Sequence, residues 1–409
     1  MRINNAGHYE YCRWADKNNR TQTAHIQEVL PQTFFQQHMT ATRQQLLNGE
    51  QPQGCGECAV MEQHHKVSGR QRQLLKVGVR LEQFEKTMAS SPWFDVFANP
   101  NFEQLPQDWQ IDLGNYCNSA CIFCDPLSSS RLAAEWKKIG FIDQLPPPNW
   151  SDDPALIQRL VDTLKHSKHI QYLHFIGGET LITPAFATIL QALIQVGLNR
   201  TATIGFTTNL SVWDDNVVAL LEQFENVNLG MSVESFSIVN DYVRWPVCLT
   251  TVFENLDRWQ SVARQNSWLM QLRITPTCLT VGSLLPIYDY ALTHSMAVES
   301  CNFLQRPQIL RPSVLPPKYR SEILENMQAW IDKHATASDT VINIRNPNMV
   351  KDQLIQDLRS YANYLQNEPD LSDQLPALVS WLKKIEAGRG NCVIDYLPQY
   401  EELFRSAGY

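Results

Sequence analysis

The sequence predicts an α/β protein whose central part is an open, partial barrel of six strand–helix units. Between residues 105 and 306, short apolar segments alternate with longer segments of helical periodicity, which is typical of parallel strands joined by crossover helices. The residues on either side lack this alternation. We therefore divide the chain into an N-terminal module at 1–100, the barrel at 105–306 and a helical extension at 307–409 that caps the open side of the barrel.

Six short apolar segments are the predicted strands: Trp109–Leu113, Gln171–Ile176, Ala202–Thr207, Val227–Val233, Leu269–Thr275 and Val298–Leu304. Six predicted helices lie between these strands along the chain: Ser129–Lys138, Ala155–His166, Pro184–Val196, Asp214–Phe224, Leu249–Ala263 and Leu284–His294. Outside the barrel, helical periodicity predicts helices at Thr33–Leu47, Ala59–Met88, Lys318–His334, Met349–Asn367 and Asp373–Ala387.

Composition narrows the classes of function. Charged residues make up 19% of the 409 residues and the net charge is −8, whereas a protein that binds nucleic acid through phosphate contacts is normally basic. No apolar run approaches the length of a membrane span, and the first residues lack the apolar core of a signal peptide. We expect a cytoplasmic protein that binds neither nucleic acid nor membrane, and whose ten cysteines are metal ligands or buried thiols rather than disulfides.

A Gly- and Asn-rich loop at 114–126 carries Cys117, Cys121 and Cys124 at the spacing Cys-x3-Cys-x2-Cys. Three thiolates on a loop of this length can bind three irons of a cubane cluster, which leaves the fourth iron without a protein ligand. A structural zinc site usually has four ligands in two close pairs. The spacing favours an iron–sulfur cluster, with a zinc or redox-sensing cysteine cluster as the alternative.

This loop resembles the cluster motif of the radical S-adenosylmethionine (SAM) enzymes, in which an aromatic residue, here Phe123, precedes the last cysteine. The resemblance implies a partial (β/α)6 radical SAM barrel and a [4Fe-4S] cluster whose open iron chelates the amino and carboxylate groups of SAM. Gly177, Gly178 and Glu179 follow the second predicted strand, where the family has its Gly-Gly-Glu motif. The resemblance implies that the glycine backbone lies against the SAM methionine and that Glu179 pairs with its ammonium.

Further polar residues stand at the ends of the later strands, where ligands bind in parallel βα sheets. Asn209 and Ser232 match positions that bind the SAM ribose or carboxylate in relatives. Glu234 departs from the family, which often has aspartate there, so its reach differs. Arg244 and Arg273 are candidates for binding a carboxylate of SAM or of the substrate. For each of these side chains a purely structural role is the alternative, because polar residues at strand ends also cap helices.

The N-terminal region holds Cys12 in a short strand or hairpin, and Cys55 and Cys58 in a glycine-rich knuckle. This arrangement resembles the auxiliary-cluster module, called SPASM or twitch, of many radical SAM enzymes, in a subgroup where the module precedes the barrel. The family usually has a further upstream cysteine, which this chain lacks. The fourth ligand of a second cluster could be a distant cysteine or one of His8, His64 and His65, or the position could be left open for substrate. A zinc knuckle at Cys55 and Cys58, or a lost cluster, is the alternative to a second cluster.

The resemblance also implies the reaction: reductive cleavage of SAM to a 5′-deoxyadenosyl radical, which removes hydrogen from a substrate. Relatives with such a module often oxidise, crosslink or epimerise peptides, so the predicted substrate is a peptide or protein. A dehydrogenase or epimerase of small metabolites is the alternative. An electron donor such as flavodoxin or ferredoxin is the expected partner. A non-catalytic metal-binding scaffold is the alternative from another class, and the intact cysteine set with Glu179 counts against it.

Overall fold

The protein is seen here as a computed structural model, which describes residues 1–10, 12, 24–48, 50–52, 54–63, 68–69, 71, 106–166, 170–300, 303–335 and 350–409. Most of the predicted helix Ala59–Met88, together with His64 and His65, lies outside the described residues. No helix in the described part of the chain combines the length and the apolar character needed to span a bilayer.

One mixed sheet of eight strands organises the described residues, in the order β2-β1-β3-β4-β5-β6-β7-β8. Only β1 and β2 pair antiparallel, and every other neighbouring pair is parallel. The two outer strands, β2 and β8, do not pair with each other, so the barrel is open. The strands are β1 (Arg2–Ile3), β2 (Tyr9–Glu10), β3 (Asp108–Asp112), β4 (Tyr172–Ile176), β5 (Thr203–Thr208), β6 (Val227–Ser232), β7 (Leu269–Arg273) and β8 (Ala297–Glu299).

The predicted α/β fold with a partial barrel is confirmed, since all six predicted strands occur as β3 to β8 in the expected order. The last strand is shorter than predicted, because β8 ends at Glu299 and not at Leu304. The hairpin of β1 and β2 extends the barrel sheet, with Arg2 opposite Gln110 of β3. The chain's division at residues 100 and 307 remains a prediction.

The predicted helices of the barrel and of the C-terminal extension, and the predicted helix Thr33–Leu47, occur to within a few residues of their expected bounds, and they bury one face of the sheet. The α-helices of the described residues are α1 (Pro31–Leu47), α2 (Gly56–Gln63), α3 (Ser130–Lys138), α4 (Pro154–Lys165), α5 (Pro184–Gln195), α6 (Asp215–Leu221), α7 (Val239–Val243), α8 (Leu249–Asn266), α9 (Leu285–His294), α10 (Pro317–His334), α11 (Val350–Asn367), α12 (Leu375–Arg389), α13 (Val393–Tyr396) and α14 (Glu401–Ser406). The short helices α7 and α14 were not among the predicted helices.

An aromatic chain joins the sheet to these helices. The ring of Phe186 on α5 lies 5.3 Å from Phe175 of β4 and 5.6 Å from Phe206 of β5, and Trp259 of α8 lies 5.7 Å from Phe206. All four side chains are buried. Because side chains alternate along a strand, the neighbours of these aromatic residues point into the open interior of the barrel.

The C-terminal helices pack against the same sheet. The Asp357 carboxylate on α11 accepts hydrogen bonds from the Tyr288 hydroxyl (2.6 Å) and from the Ser300 backbone N–H (3.2 Å), just after β8. Trp381 of α12 stacks on Phe141, which follows α3, with ring centroids 6.4 Å apart. These helices therefore contact the β8 edge of the sheet and the region behind the cysteine loop.

Candidate active site at the carboxyl ends of the strands

The cysteine loop leaves β3 and brings its three thiols together. Cys121 is buried, and Cys117 and Cys124 are half-buried. Burial, together with the nearby Cys121, raises the pKa of Cys117 to about 12. Burial also raises the pKa of Cys124, with contributions from Cys121 and Cys117. The thiols are thus close enough to affect one another's ionisation, and a bound metal would be needed to hold them as thiolates.

Two neighbouring segments hold the loop in place. The Ser129 hydroxyl, at the N-cap of α3, donates to the Ser119 carbonyl at 2.6 Å and accepts from the Leu132 N–H. On the other side, the Ala120 and Ile122 N–H groups donate to the carbonyls of residues 245 and 243, at 2.7 and 2.9 Å. Hydrogen bonds on both sides therefore hold the backbone that carries the three cysteines.

The glycine pair after β4 lies directly against the cysteine loop. The Gly178 N–H donates to the Gly114 carbonyl at 2.9 Å, and the Glu179 N–H donates to the Tyr116 carbonyl at 2.6 Å. A Cβ on Gly178 would stand 2.0 Å from the Tyr116 carbonyl oxygen, and one on Gly177 would stand 2.7 Å from the Gly114 oxygen. The absence of side chains at 177 and 178 is therefore required by the approach of the loop itself.

Glu179 and Asn209 tie the ends of β4 and β5 to the loop. The buried Glu179 carboxylate accepts hydrogen bonds from the Leu181 N–H at 3.2 Å and from the Asn209 N–H at 2.6 Å. Burial raises the pKa of Glu179, and these bonds act in the opposite direction. The Asn209 side-chain amide donates to Asn118 Oδ1 at 3.0 Å and to the Ser119 hydroxyl at 2.8 Å. Both predicted site residues therefore stand at the cysteine loop.

Arg244 and Glu234 form a buried ion pair beside Cys121. Arg244 Nη2 lies 3.0 Å from Glu234 Oε1, and Arg244 Nη1 donates to the Cys121 sulfur at 3.7 Å. The guanidinium also stands 5.6 Å from the centre of the Phe123 ring. The other oxygen of Glu234 accepts from the Thr275 N–H at 2.6 Å, after β7. A cation is thus fixed against one thiol of the set.

Arg273 occupies a different place. Its Nη1 donates to the Thr207 hydroxyl at 2.9 Å and lies 3.2 Å from His174 Nε2, while its Nε is 3.6 Å from Glu299 Oε2. A Cβ on Gly230 would stand 2.6 Å from Arg273 Nε, so the missing side chain makes room for the guanidinium. Arg273 therefore lies among the inward-facing side chains of the barrel, paired in the sheet with Ser232 at the end of β6.

Sequence reasoning did not single out this polar interior. His174, Thr207 and Glu299 occupy strand positions that alternate with buried apolar ones, and polar residues at those alternate positions are the signal that would have identified them. Sequence reasoning also missed Arg389, at the end of α12, whose Nη2 donates to the Ala120 carbonyl at 2.6 Å in the cysteine loop. A helical segment far along the chain gives no sequence signal for such a contact.

The N-terminal cysteines are described only in part. Cys58 is buried, and Cys12 and Cys55 are half-buried. Among the residues that the structure describes, no three histidine, cysteine or acidic side chains converge closely enough to hold a single metal ion. Each thiolate of a cubane binds a different iron, so the ligands of a cluster are spaced more widely than those of one ion. The second cluster remains a prediction.

The donor set of the cysteine loop fits a [4Fe-4S] cluster. It offers three thiols and no fourth cysteine within the loop, and the Arg244 cation stands at the Cys121 sulfur, where it offsets the negative charge of a bound cluster. These thiols, Glu179, Asn209 and the Glu234–Arg244 pair all lie at the carboxyl ends of adjacent parallel strands, where ligands bind in such sheets.

Comparison with known proteins agrees with this geometry. Residues 111–269 of the chain match the model of the radical SAM superfamily. No curated protein shows significant sequence similarity to the chain.

Several solved structures are similar to the chain. SuiB of Streptococcus suis bound to S-adenosylmethionine is 13% identical over 68% of this chain and 60% of its own, with a TM-score of 0.37. Native anSMEcpe with bound AdoMet is 17% identical over 56% of this chain and 61% of its own, with a TM-score of 0.41. SuiB bound to the precursor peptide SuiA is 12% identical over 76% of this chain and 66% of its own, with a TM-score of 0.36. The chain spans about 60% of the length of the first of these structures.

Proposed function

We propose that the protein is a radical SAM enzyme that cleaves SAM reductively at a [4Fe-4S] cluster held by Cys117, Cys121 and Cys124. A bound cluster and SAM together supply one-electron cleavage of the SAM C5′–S bond, giving methionine and a 5′-deoxyadenosyl radical that takes a hydrogen atom from the substrate. The observation that carries the proposal is the convergence of the three thiols with Glu179, Asn209 and Arg244 at one edge of a parallel sheet.

The chain's own residues would position the cofactors and balance their charge. Arg244 places a positive charge at the Cys121 sulfur and is itself held by Glu234. Glu179 would pair with the ammonium of SAM while its backbone bonds to the loop and to Asn209 fix its orientation. Asn209 and Ser232 would contact the ribose or carboxylate, and Phe123 stands between the last two cysteines, against Arg244. The glycines at 177 and 178 let the cysteine loop approach the end of β4.

We infer that the substrate is a peptide or protein whose reacting group enters the polar interior of the barrel. Arg273, His174 and Thr207 line that interior and form a hydrogen-bonded set, with Glu299 beside it. Such a lining suits a polar side chain or a backbone amide better than an apolar chain. A small polar metabolite would meet the same lining, and it is the second candidate.

The remaining parts of the proposal concern partners. A second cluster at Cys12, Cys55 and Cys58 would accept an electron from an oxidised substrate radical or bind the substrate directly. Flavodoxin or ferredoxin would supply the reducing electron, and the enzyme would act in the cytoplasm.

The test is the iron and sulfide content after anaerobic reconstitution, together with 5′-deoxyadenosine formed from SAM and dithionite. About eight irons are expected in the wild type and about four in the Cys117→Ala/Cys121→Ala/Cys124→Ala variant, whose SAM cleavage is lost. Cys248→Ala, which removes an exposed cysteine that is not part of the cysteine loop, is the matched control and should behave as the wild type.

The other outcomes separate the alternatives. About four irons in the wild type and none in the triple variant would keep the SAM cluster and eliminate the second one. A wild type that binds zinc instead of iron and does not cleave SAM would favour the metal-binding scaffold. For the substrate, transfer of deuterium from labelled peptides into 5′-deoxyadenosine supports the peptide proposal, and transfer from small metabolites alone contradicts it.

A further inference from the structure

Arg389, the last residue of α12, extends its side chain to the back of the cysteine loop. The side chain is fully buried, with 0% of its surface exposed. Nε and Nη2 donate to the two carboxylate oxygens of Glu135 on α3, both at 2.7 Å, and Nη2 also donates to the Ala120 carbonyl at 2.6 Å. One guanidinium therefore connects three segments that are far apart in the sequence.

The same guanidinium stands on the ring of Trp245, with its central carbon 5.1 Å from the ring centre. The Trp245 carbonyl in turn accepts the hydrogen bond of the Ala120 N–H at 2.7 Å. Ala120, the residue before Cys121, is thus held at both of its backbone polar groups, by Arg389 at its carbonyl and by the Trp245 carbonyl at its N–H. Its position fixes where the Cys121 sulfur can lie.

A further feature separates this arginine from an ordinary surface ion pair. Its Nη1 is buried and has no hydrogen-bond partner among the residues that the structure describes. Burying a charged group with an unused donor is unfavourable, and an apolar side chain of similar volume often stabilises such a site more. Packing alone therefore does not explain why an arginine is buried at position 389. Its guanidinium lies where it can act on the cysteine loop.

We propose that Arg389 is a positioning residue for the cluster: it fixes the peptide unit of Ala120 and Cys121 and adds a buried positive charge beside the cluster. The inference rests on the proposed function, because it assigns the C-terminal helix α12 a part in the same site. Loss of the guanidinium should loosen the loop in the iron-free protein. In the protein with its cluster, loss of the charge should make the cluster harder to reduce, because nearby positive charge favours the more negative, reduced state.

The experiment compares wild type with Arg389→Met and Arg389→Lys in two measurements. The first is hydrogen exchange of the amides at 120–122 in the iron-free protein, where Arg389→Met should exchange roughly tenfold or more faster, since a hydrogen bond to a charged group is lost. The second is the midpoint potential of the reconstituted cluster, followed by electron paramagnetic resonance. It should become more negative in Arg389→Met and less so in Arg389→Lys, which keeps the charge but not the planar fork.

Two further variants control for the loss of an arginine and of its partner. Arg405→Gln removes an exposed arginine of the same C-terminal region, paired with Glu401 on its own helix, and should change neither measurement. Glu135→Gln keeps the guanidinium, so the bond to Ala120 and the charge at the loop remain. It should retain most of the exchange protection even if Arg389→Met does not fold.

The outcomes are separable from those of the proposed function. If Arg389→Met shows wild-type exchange at 120–122 and a wild-type potential, the positioning role is wrong. If wild type takes up no iron, the radical SAM proposal fails, whereas the exchange measurement still decides whether Arg389 holds the loop.

Discussion

Replacing Gly178 by alanine tests the packing of the cysteine loop on the end of β4. The added Cβ would lie 2.0 Å from the Tyr116 carbonyl oxygen and 2.5 Å from its carbon. Carbon and oxygen atoms in contact are normally about 3.3 Å apart or more, so the loop would have to withdraw by about 1 Å. Gly178 does not have a positive φ, so the strain comes from this contact alone.

The expected magnitude follows from the contacts that the shift would disturb. Overpacking of this kind costs about 1–3 kcal/mol, and the hydrogen bonds from the N–H groups of 178 and 179 to the loop contribute about 1 kcal/mol each. We expect Gly178→Ala to lower the free energy of unfolding by roughly 2–4 kcal/mol. Because the displaced residues precede Cys117, iron uptake should fall with it.

The assay is urea unfolding of the iron-free protein, followed by iron content after reconstitution. Gly388→Ala is the matched control, because a Cβ there meets nothing nearer than 3.7 Å and the position is helical. That variant should be more stable by about 0.5–1 kcal/mol, since alanine favours the helix. A Gly178→Ala protein as stable as wild type, with full iron content, would refute the account of the glycine pair.

Three further predictions concern other parts of the molecule. Arg244→Met should destabilise the fold by about 3–5 kcal/mol in urea unfolding, because it leaves Glu234 buried without its cation. The double variant with Glu234→Leu should recover much of that loss, and a single variant as stable as the wild type would contradict the pairing. Asp357→Ala removes the acceptor of the hydrogen bonds from Tyr288 and Ser300 and should lower the free energy of unfolding by about 1–3 kcal/mol. An unchanged free energy of unfolding would show that α11 does not need this contact. Burial raises the pKa of the Cys278 thiol above its usual 9.0, so the unfolded chain ionises first and stability should fall as pH rises above 9. Cys278→Ala should show a smaller fall than wild type between pH 8 and 10, and equal slopes would disprove the assignment.

The sequence predicted the sheet well because its strongest signals are local. Each of the strands β3 to β8 has a short apolar run bounded by a helix, and parallel strands joined in this way leave few alternative orders. The sequence predicted a short strand or hairpin around Cys12, which matches β2 at Tyr9–Glu10 in part, but it did not predict β1 at Arg2–Ile3. These two strands are two residues each, so their pairing with β3 depends on long-range contacts that carry no periodic signal.

The residues of the candidate site also differ in how far the sequence could predict them. The Cys117 set and Glu179 were predictable from spacing and from strand ends, and the structure places them against one another. Arg273 was grouped with Arg244 by residue type, yet one faces the barrel interior and the other the Cys121 sulfur. Arg273 ends β7 whereas Arg244 follows the short helix α7, and the direction of each side chain depends on that difference in position. Arg389 was not predictable, because its role depends on how α12 packs against α3 and the loop.

The central claim is that SAM binds the cluster of Cys117, Cys121 and Cys124, and the most direct test is the electron paramagnetic resonance spectrum of that cluster with and without SAM. The measurement uses the reduced, reconstituted Cys55→Ser/Cys58→Ser variant, so that only this cluster contributes. We predict a single four-iron signal whose g values change on addition of SAM, since SAM would bind the iron that lacks a cysteine. A four-iron signal that stays the same at saturating SAM, or no such signal at all, would contradict it.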